Sequence, residues 1–262
     1  MKFLITNDDG YDAPGLAALY QALQPFGEVT VVAPATCHSS KGHAVDTKQP
    51  IRVTRKLVEP FGRIHVVHSS PADCIRVGLK HVLQDAPDFV VAGINPGANL
   101  GVDLYYSGTA AAAREAALLG VPAFAVSRYL MGDRPIDWPK LRQQVSRLMG
   151  TMLAREFHPP GGHFWNVNFP AIPGDVYPDR VTIVPHGTEP HAVRFSVLET
   201  GDDSELLGYT AAYRERGKSG SCDVSHLFDE HITATLVGPQ TSVLGDFRPH
   251  SQVSLVSLPL PN

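Results

Sequence analysis

A chain of 262 residues, 43% of them hydrophobic, can bury a full core as one large domain or as two small ones. Charged residues make up 18%, the formal net charge is −4, and no Lys/Arg run exceeds two residues, so neither a nucleic-acid backbone nor an anionic membrane surface is the expected partner; a small ligand is. The three cysteines, Cys37, Cys74 and Cys222, are odd in number, widely spaced and lack a CxxC pair, which fits a reducing cytoplasmic setting rather than disulfides or zinc.

The first apolar run, 3–6, ends at Asp8 and Asp9 and is too short for a signal-peptide core. No later window approaches the ~18 uninterrupted apolar residues of a membrane span. From there the chain alternates short apolar or β-branched runs with longer amphipathic ones. Strands are predicted at 3–6, 29–33, 64–67, 89–92 and 123–126, and helices at 14–23, 71–83, 108–119 and 138–153. That alternation predicts an α/β fold with a Rossmann-like, doubly wound, mostly parallel sheet over 1–159. After Pro159, Pro and Gly become frequent and helical periodicity fades; short strands are predicted at 181–184 and 232–236. Residues 160–262 are expected to be an appended β-rich region of one overall domain, with 238–262 forming an extended tail, a hairpin on a neighbour or an edge strand.

In an open parallel sheet, ligands bind beyond the carboxyl ends of the strands. Here those positions are polar: Asn7, Asp8, Asp9 and Gly10 follow the first strand, His38, Ser39 and Ser40 the second, Ser69 and Ser70 the third, and Asn95, Gly97, Asn99 and Gly101 the fourth. Four loops are expected to meet at one rim. Two adjacent carboxylates at a buried strand tip repel each other and lose solvation, and a cation or a shared proton relieves both costs. Carboxylate, hydroxyl and amide oxygens are hard donors that suit Mg²⁺, Mn²⁺ or Ca²⁺, whereas zinc wants Cys or His at short spacing. The plainer reading of Asp8-Asp9-Gly10 is a turn.

The run 93–101 has neither a dinucleotide fingerprint nor a P-loop, so its informative residues are Asn95 and Asn99, whose amides can ligate a metal or donate to phosphate. Ser107 is placed to cap the alanine-rich helix behind Gly108 and Thr109, leaving first-turn amides for an anion. Capping without a ligand is the alternative. Tyr106 is placed to stack on a base or to pack at the rim.

Taken together, Thr6-Asn7-Asp8-Asp9-Gly10, Ala13-Pro14-Gly15, Val31-Val32-Ala33-Pro34 with Ser39, Pro71-Ala72-Asp73-Cys74, Gly93-Ile94-Asn95 with Gly97 and Asn99-Leu100-Gly101, and Tyr106-Ser107-Gly108-Thr109 resemble the SurE (survival protein E) family of 5′/3′-nucleotidases. Asn166-Val167-Asn168-Phe169-Pro170 is similar to a further family segment, and 223–236 loosely to a later one. The resemblance implies one divalent cation per subunit held by Asp8, Asp9, Ser39 and Asn95, and a nucleoside 5′- or 3′-monophosphate as substrate. It also implies homodimers or homotetramers built partly by exchanged C-terminal segments. Activity on short polyphosphate is left open. This chain departs from the family at Ser40, where glycine is usual, at Ser69-Ser70, where Gly-Thr is usual, and between His186 and Tyr213, where an Arg- and Tyr-rich segment is missing.

On this reading Asp8 and Asp9 are the catalytic carboxylates, Asp9 orienting or deprotonating a water. Asn99, Ser107, Gly108, Thr109 and Ser40 are candidate phosphate or substrate contacts. An aspartyl-phosphate route remains equally open. Two competing classes are a receiver-like module, which is about half this length and needs a further Asp and Lys, and a nucleotide sensor without turnover.

Overall fold

A computed structural model describes residues 1–210, 213, 216, 217 and 220–239. A nine-stranded sheet in the order β3-β4-β2-β1-β5-β6-β7-β11-β8 runs through it. The strands are β1 (Lys2–Thr6), β2 (Glu28–Pro34), β3 (Val53–Val58), β4 (Gly62–Val67), β5 (Phe89–Pro96), β6 (Ala123–Arg128), β7 (Phe164–Phe169), β8 (Val181–Ile183) and β11 (Ile232–Val237). From β4 to β7 all neighbours pair in parallel; β3 and β11 pair antiparallel with β4 and β7.

The central strands read as continuous apolar runs because both of their faces are covered. Along β1, Phe3 and Ile5 join the core under α1 (Pro14–Leu23) and α4 (Trp138–Met152), whereas Leu4 joins the one under α2 (Pro71–Val77) and α3 (Gly108–Leu118). Alternate side chains thus serve opposite layers, the period of two that a pleated strand imposes. Helix α4 shows the complementary logic. Leu141, Val145, Leu148, Met149 and Met152 are buried at three- and four-residue spacing, each contributing about 1.5–3 kcal/mol of burial, and Asp137 caps its first turn by accepting from the Lys140 amide at 3.1 Å.

Every predicted strand and helix of the first half is present, with ends shifted by a few residues; the helix expected over 71–83 is α2 followed by a wider helical turn, Gly78–Val82. Further elements lie beyond those expectations. β3 has a half-exposed, charge-bearing face, and β7 carries two buried asparagines within an apolar run. β9 (Phe195–Thr200) and β10 (Glu205–Tyr209) form a separate antiparallel hairpin, and α5 (Asp223–Phe228) is a short helix in the region where periodicity fades. β7, β8 and β11 extend the sheet of the first half. The expected tail over 238–262 lies outside the described residues beyond Pro239. No helix among the described residues is long and apolar enough to cross a membrane.

Candidate active site

The chain leaves β1 towards β2 and β4 on one side and returns to β5 on the other, so the strand order reverses beside β1, and the crevice opens at that point. A cleft of about 620 Å³ lies there, and Asp8, Ser39, Ser40, Asn95, Asn99 and Ser107 all line it. The second-strand loop is tied down by the His38 amide, which donates to the Asp8 carbonyl at 2.7 Å.

Asp8 is 4% exposed. Its Oδ1 accepts from the Thr109 hydroxyl at 2.6 Å, and the Gly108 and Thr109 amides also favour its charged form. Burial outweighs these donors and raises its pKa. The approach requires a residue without a side chain: a Cβ on Gly108 would lie 2.7 Å from the Asp8 Cβ and 2.8 Å from its Oδ2. Gly108 and Thr109, expected as phosphate contacts, therefore meet the cleft through Asp8 and are not among its lining residues. Asp9 is pushed up to about 6, first by burial and then by the neighbouring Asp8 charge. Its Oδ2 is buried without a hydrogen-bond partner.

Asn95 is aimed by an irregularity in the sheet. β5 and β6 pair Ala92 with Ala125 and Asn95 with Ser127, so β5 carries one extra residue, at Gly93–Ile94. Gly93 adopts φ +135°, and a Cβ there would meet the Val126 carbonyl oxygen at 2.3 Å. The Asn95 amide nitrogen donates to the Gly97 carbonyl at 2.7 Å, fixing the side chain with its oxygen uncommitted to that bond. The Ser39 hydroxyl lies 2.9 Å from the Cys37 sulfur. Ser40 follows at φ +57°, in the left-handed region where glycine is unstrained, which explains why glycine is the usual residue after this serine in the resembling family.

Asn99 is held on both sides. Its backbone amide donates to Asn168 Oδ1 at 2.8 Å, its carbonyl accepts from Asn166 and Asn168 at 2.8 and 3.0 Å, and its side-chain amide donates to Ser127 Oγ at 2.8 Å. One N–H of that amide remains for a ligand. Ser107 caps α3, its Oγ accepting from the Ala110 amide at 2.9 Å. Its hydroxyl proton is left to donate.

Ser69 and Ser70, expected at the same rim, are not among the residues lining the cleft. Ser70 caps α2, accepting from the Asp73 amide at 3.1 Å, and both hydroxyls donate to Asp73 Oδ2. His43 pairs with Glu115 of α3 at 2.8 Å, opposite Arg76 at 2.6 Å. Asp103, Tyr106, His191, Val193, Tyr209 and Tyr213 line the rest of the cleft together with the backbone turn at 96–98. Tyr106 is the one of these that the sequence reading names; the rest escape it because most come from a segment with no periodicity, and Asp103 carries only a hint, as an acid in an otherwise apolar stretch.

A buried Asp8 and a half-buried Asp9, both raised in pKa, an unpartnered Asp9 oxygen, and no Lys or Arg among the described residues of the cleft suit a hard dication, although Asp9 itself is not among the residues that line the cleft. No group of three His, Cys, Asp or Glu that could hold a metal ion occurs among the described residues, so any ion at Asp8 and Asp9 would need the Ser39 and Asn95 oxygens as well.

The sequence profile of the family described as Survival protein SurE matches residues 3–189. A protein of Synechocystis sp. is 38% identical over 236 residues, which cover 90% of this chain and 98% of that protein. The 5′-nucleotidase SurE of Syntrophobacter fumaroxidans is 43% identical over 177 residues, covering 67% and 68% of the two chains. Among solved structures, the SurE protein from Aquifex aeolicus superposes with a TM-score of 0.77 at 27% identity, covering 92% of this chain and 95% of that one. Shared sequence across the parallel core, and shared architecture across nearly the whole molecule, place the chain in the SurE family.

Proposed function

We propose that this protein is a divalent-cation-dependent phosphomonoesterase that hydrolyses nucleoside 5′-monophosphates, and 3′-monophosphates as well, to nucleoside and phosphate. The observation that carries the reading is a buried Asp8 that lines one end of the cleft beside Ser39 and Asn95, next in sequence to a half-buried Asp9 whose Oδ2 has no partner, in a cleft whose described lining holds no basic side chain other than His191. Relatives named 5′-nucleotidase SurE support the substrate class.

Asp8, Asp9, Ser39 and Asn95 would hold the cation. When bound, a hard dication supplies charge neutralisation for a phosphoryl group under attack. The chain's own residues do the remainder. The Thr109 hydroxyl and the first amides of α3 fix Asp8 and favour its charged form against the cost of burial. Asp9 receives the proton of the attacking water. As that oxygen bonds to phosphorus and the ester P–O bond breaks in line, Ser107 and the free N–H of Asn99 donate to the phosphoryl oxygens, whose negative charge grows. The released nucleoside oxygen takes up a proton from solvent, and Asp9 gives up to solvent the one it received, so that the site returns to its starting state. Assembly into dimers or tetramers belongs to the same reading; Phe195, Leu198, Leu206 and Tyr209 on the β9–β10 hairpin are each at least half exposed and support it.

The test is phosphate release from AMP, GMP and their 3′ isomers before and after EDTA treatment, with Mn²⁺ or Mg²⁺ returned. The expected result is loss with chelator and recovery with metal. Release that persists in EDTA would sink the metal assignment, and no release under any metal would favour the sensor without turnover.

A further inference from the structure

The catalytic reading uses only the inner end of the cleft. The outer end is built differently, from Tyr106, His191, Val193, Tyr209 and Tyr213. All but Tyr106 lie beyond residue 189, where the family profile stops. Tyr106 precedes Ser107, the proposed phosphate contact, so the outer wall begins one residue from the inner one.

Tyr213 is a fixed back wall. Its ring stacks on Tyr129 at 5.6 Å, the Arg216 guanidinium sits 3.8 Å from its centroid, and its hydroxyl is spent on the Ala98 carbonyl and on Asp103. Tyr106 and Tyr209 are the reverse, 57% and 60% exposed. His191 meets Tyr106 edge to face at 5.4 Å and 78°, forming an aromatic corner. Its Nε2 lies 3.2 Å from Asp103 Oδ1, yet the alignment makes no hydrogen bond. Asp103 is already occupied by Arg216 at 2.7 and 2.8 Å, by the Tyr213 hydroxyl at 2.7 Å and by the Leu100 amide at 3.0 Å. The imidazole thus faces Asp103 at close range without a hydrogen bond to it, and its Nδ1 has no hydrogen-bond partner among the described residues.

We propose that this outer corner is a nucleobase subsite, with Tyr106 as the stacking platform and His191, positioned by Asp103, as the group that sets base preference. It rests on the phosphomonoesterase reading of the inner end. A flat, uncharged aromatic ligand matches rings with open faces and one uncommitted polar edge. A second phosphate does not match, because the described residues of the cleft include no Lys or Arg to meet it. A bare sugar phosphate would leave the rings unused.

The experiment compares kcat/KM on AMP, GMP, CMP and UMP with that on ribose 5-phosphate, for the wild type, Tyr106→Leu and His191→Leu. In parallel, adenosine and guanosine binding is followed by saturation-transfer NMR, which needs no turnover. Stacking worth about 1–3 kcal/mol corresponds to roughly 5- to 150-fold. Tyr106→Leu is therefore expected to lose at least fivefold on nucleotides without a matching loss on ribose 5-phosphate, and to weaken nucleoside binding alike. His191→Leu is expected to flatten the ranking of the four bases. Equal losses on nucleotides and ribose 5-phosphate, an unchanged base ranking, or a wild type that binds no nucleoside would each overturn the subsite. Nucleoside binding without phosphate release from any ester would instead uphold the subsite and overturn the catalytic reading.

Discussion

The two ends of the cleft are made by different kinds of structure. Apart from the exposed loop that carries Ser39 and Ser40, the inner end comes from the tips of β1 and β5 and the start of α3, elements whose backbones are committed to sheet and helix hydrogen bonds and whose side chains are mostly buried or half-buried. The outer end comes largely from irregular chain after residue 189 and from a hairpin whose residues are almost all exposed. A charge-bearing centre needs fixed geometry and exclusion of water, which a parallel core supplies. Recognition of a leaving group tolerates movement, which a surface segment allows.

Several substitutions test how far that division holds. The largest effect is expected from Asp8→Asn or Asp9→Asn: each should reduce phosphate release by about three orders of magnitude, a loss of roughly 4 kcal/mol in transition-state stabilisation, while circular dichroism shows the fold retained. Near-normal turnover in either would remove the inner end from the chemistry.

Next comes Gly108→Ala. The added methyl would fall 2.7 Å from the Asp8 Cβ, so either α3 or the carboxylate must shift. A cost of about 1–3 kcal/mol in urea unfolding is expected, with at least a tenfold fall in kcat. A normal kcat would mean that Asp8 needs no fixed position.

The scaffold behind the inner end has its own pH signature. Glu115 on α3 is held below the ordinary carboxylate range by the hydrogen bond from His43, with Arg76 adding to it. A carboxyl depressed in the folded state stabilises fully above its unfolded value, 4.5, and loses that contribution as pH falls through the lowered folded value. Arg76 is 40% exposed, so solvent screens part of the interaction. Glu115→Gln should therefore cost about 1–2 kcal/mol at pH 7 and progressively less below pH ~4, as read by urea melts at both pH values. A difference that does not vary with pH would assign the effect to packing.

Ser40→Gly should have the smallest effect. The left-handed conformation costs a non-glycine residue about 1–2 kcal/mol, and glycine's freedom in the unfolded chain takes back roughly 0.5–1, so a net gain near 0.5 kcal/mol is expected in thermal unfolding. A fall in kcat/KM beyond threefold would show that the serine hydroxyl touches substrate.

What the sequence discloses follows the same division. Strands buried on both faces leave uninterrupted apolar runs, and Asp8, Ser39, Asn95, Asn99 and Ser107 were legible because each follows such a run or opens a helix. β7 was hidden because Asn166 and Asn168 break its apolar pattern, and they do so in order to grip Asn99, a purpose visible only in three dimensions. β3 was hidden because one of its faces is solvated. Asp103 and Arg216 are 113 residues apart and meet through a segment without period, so no local rule connects them. The family resemblance carried the proposed metal donors and Tyr106 but not the rest of the outer wall, which lies beyond the matched residues 3–189.

The grip on Asn99 makes its loop behave mechanically as part of the sheet. A loop anchored through its amide, its carbonyl and its side chain has little left to order when a ligand arrives. Much of the entropy that other enzymes lose on closing around a substrate is here lost once, during folding, and the seat it forms is rigid before anything enters it.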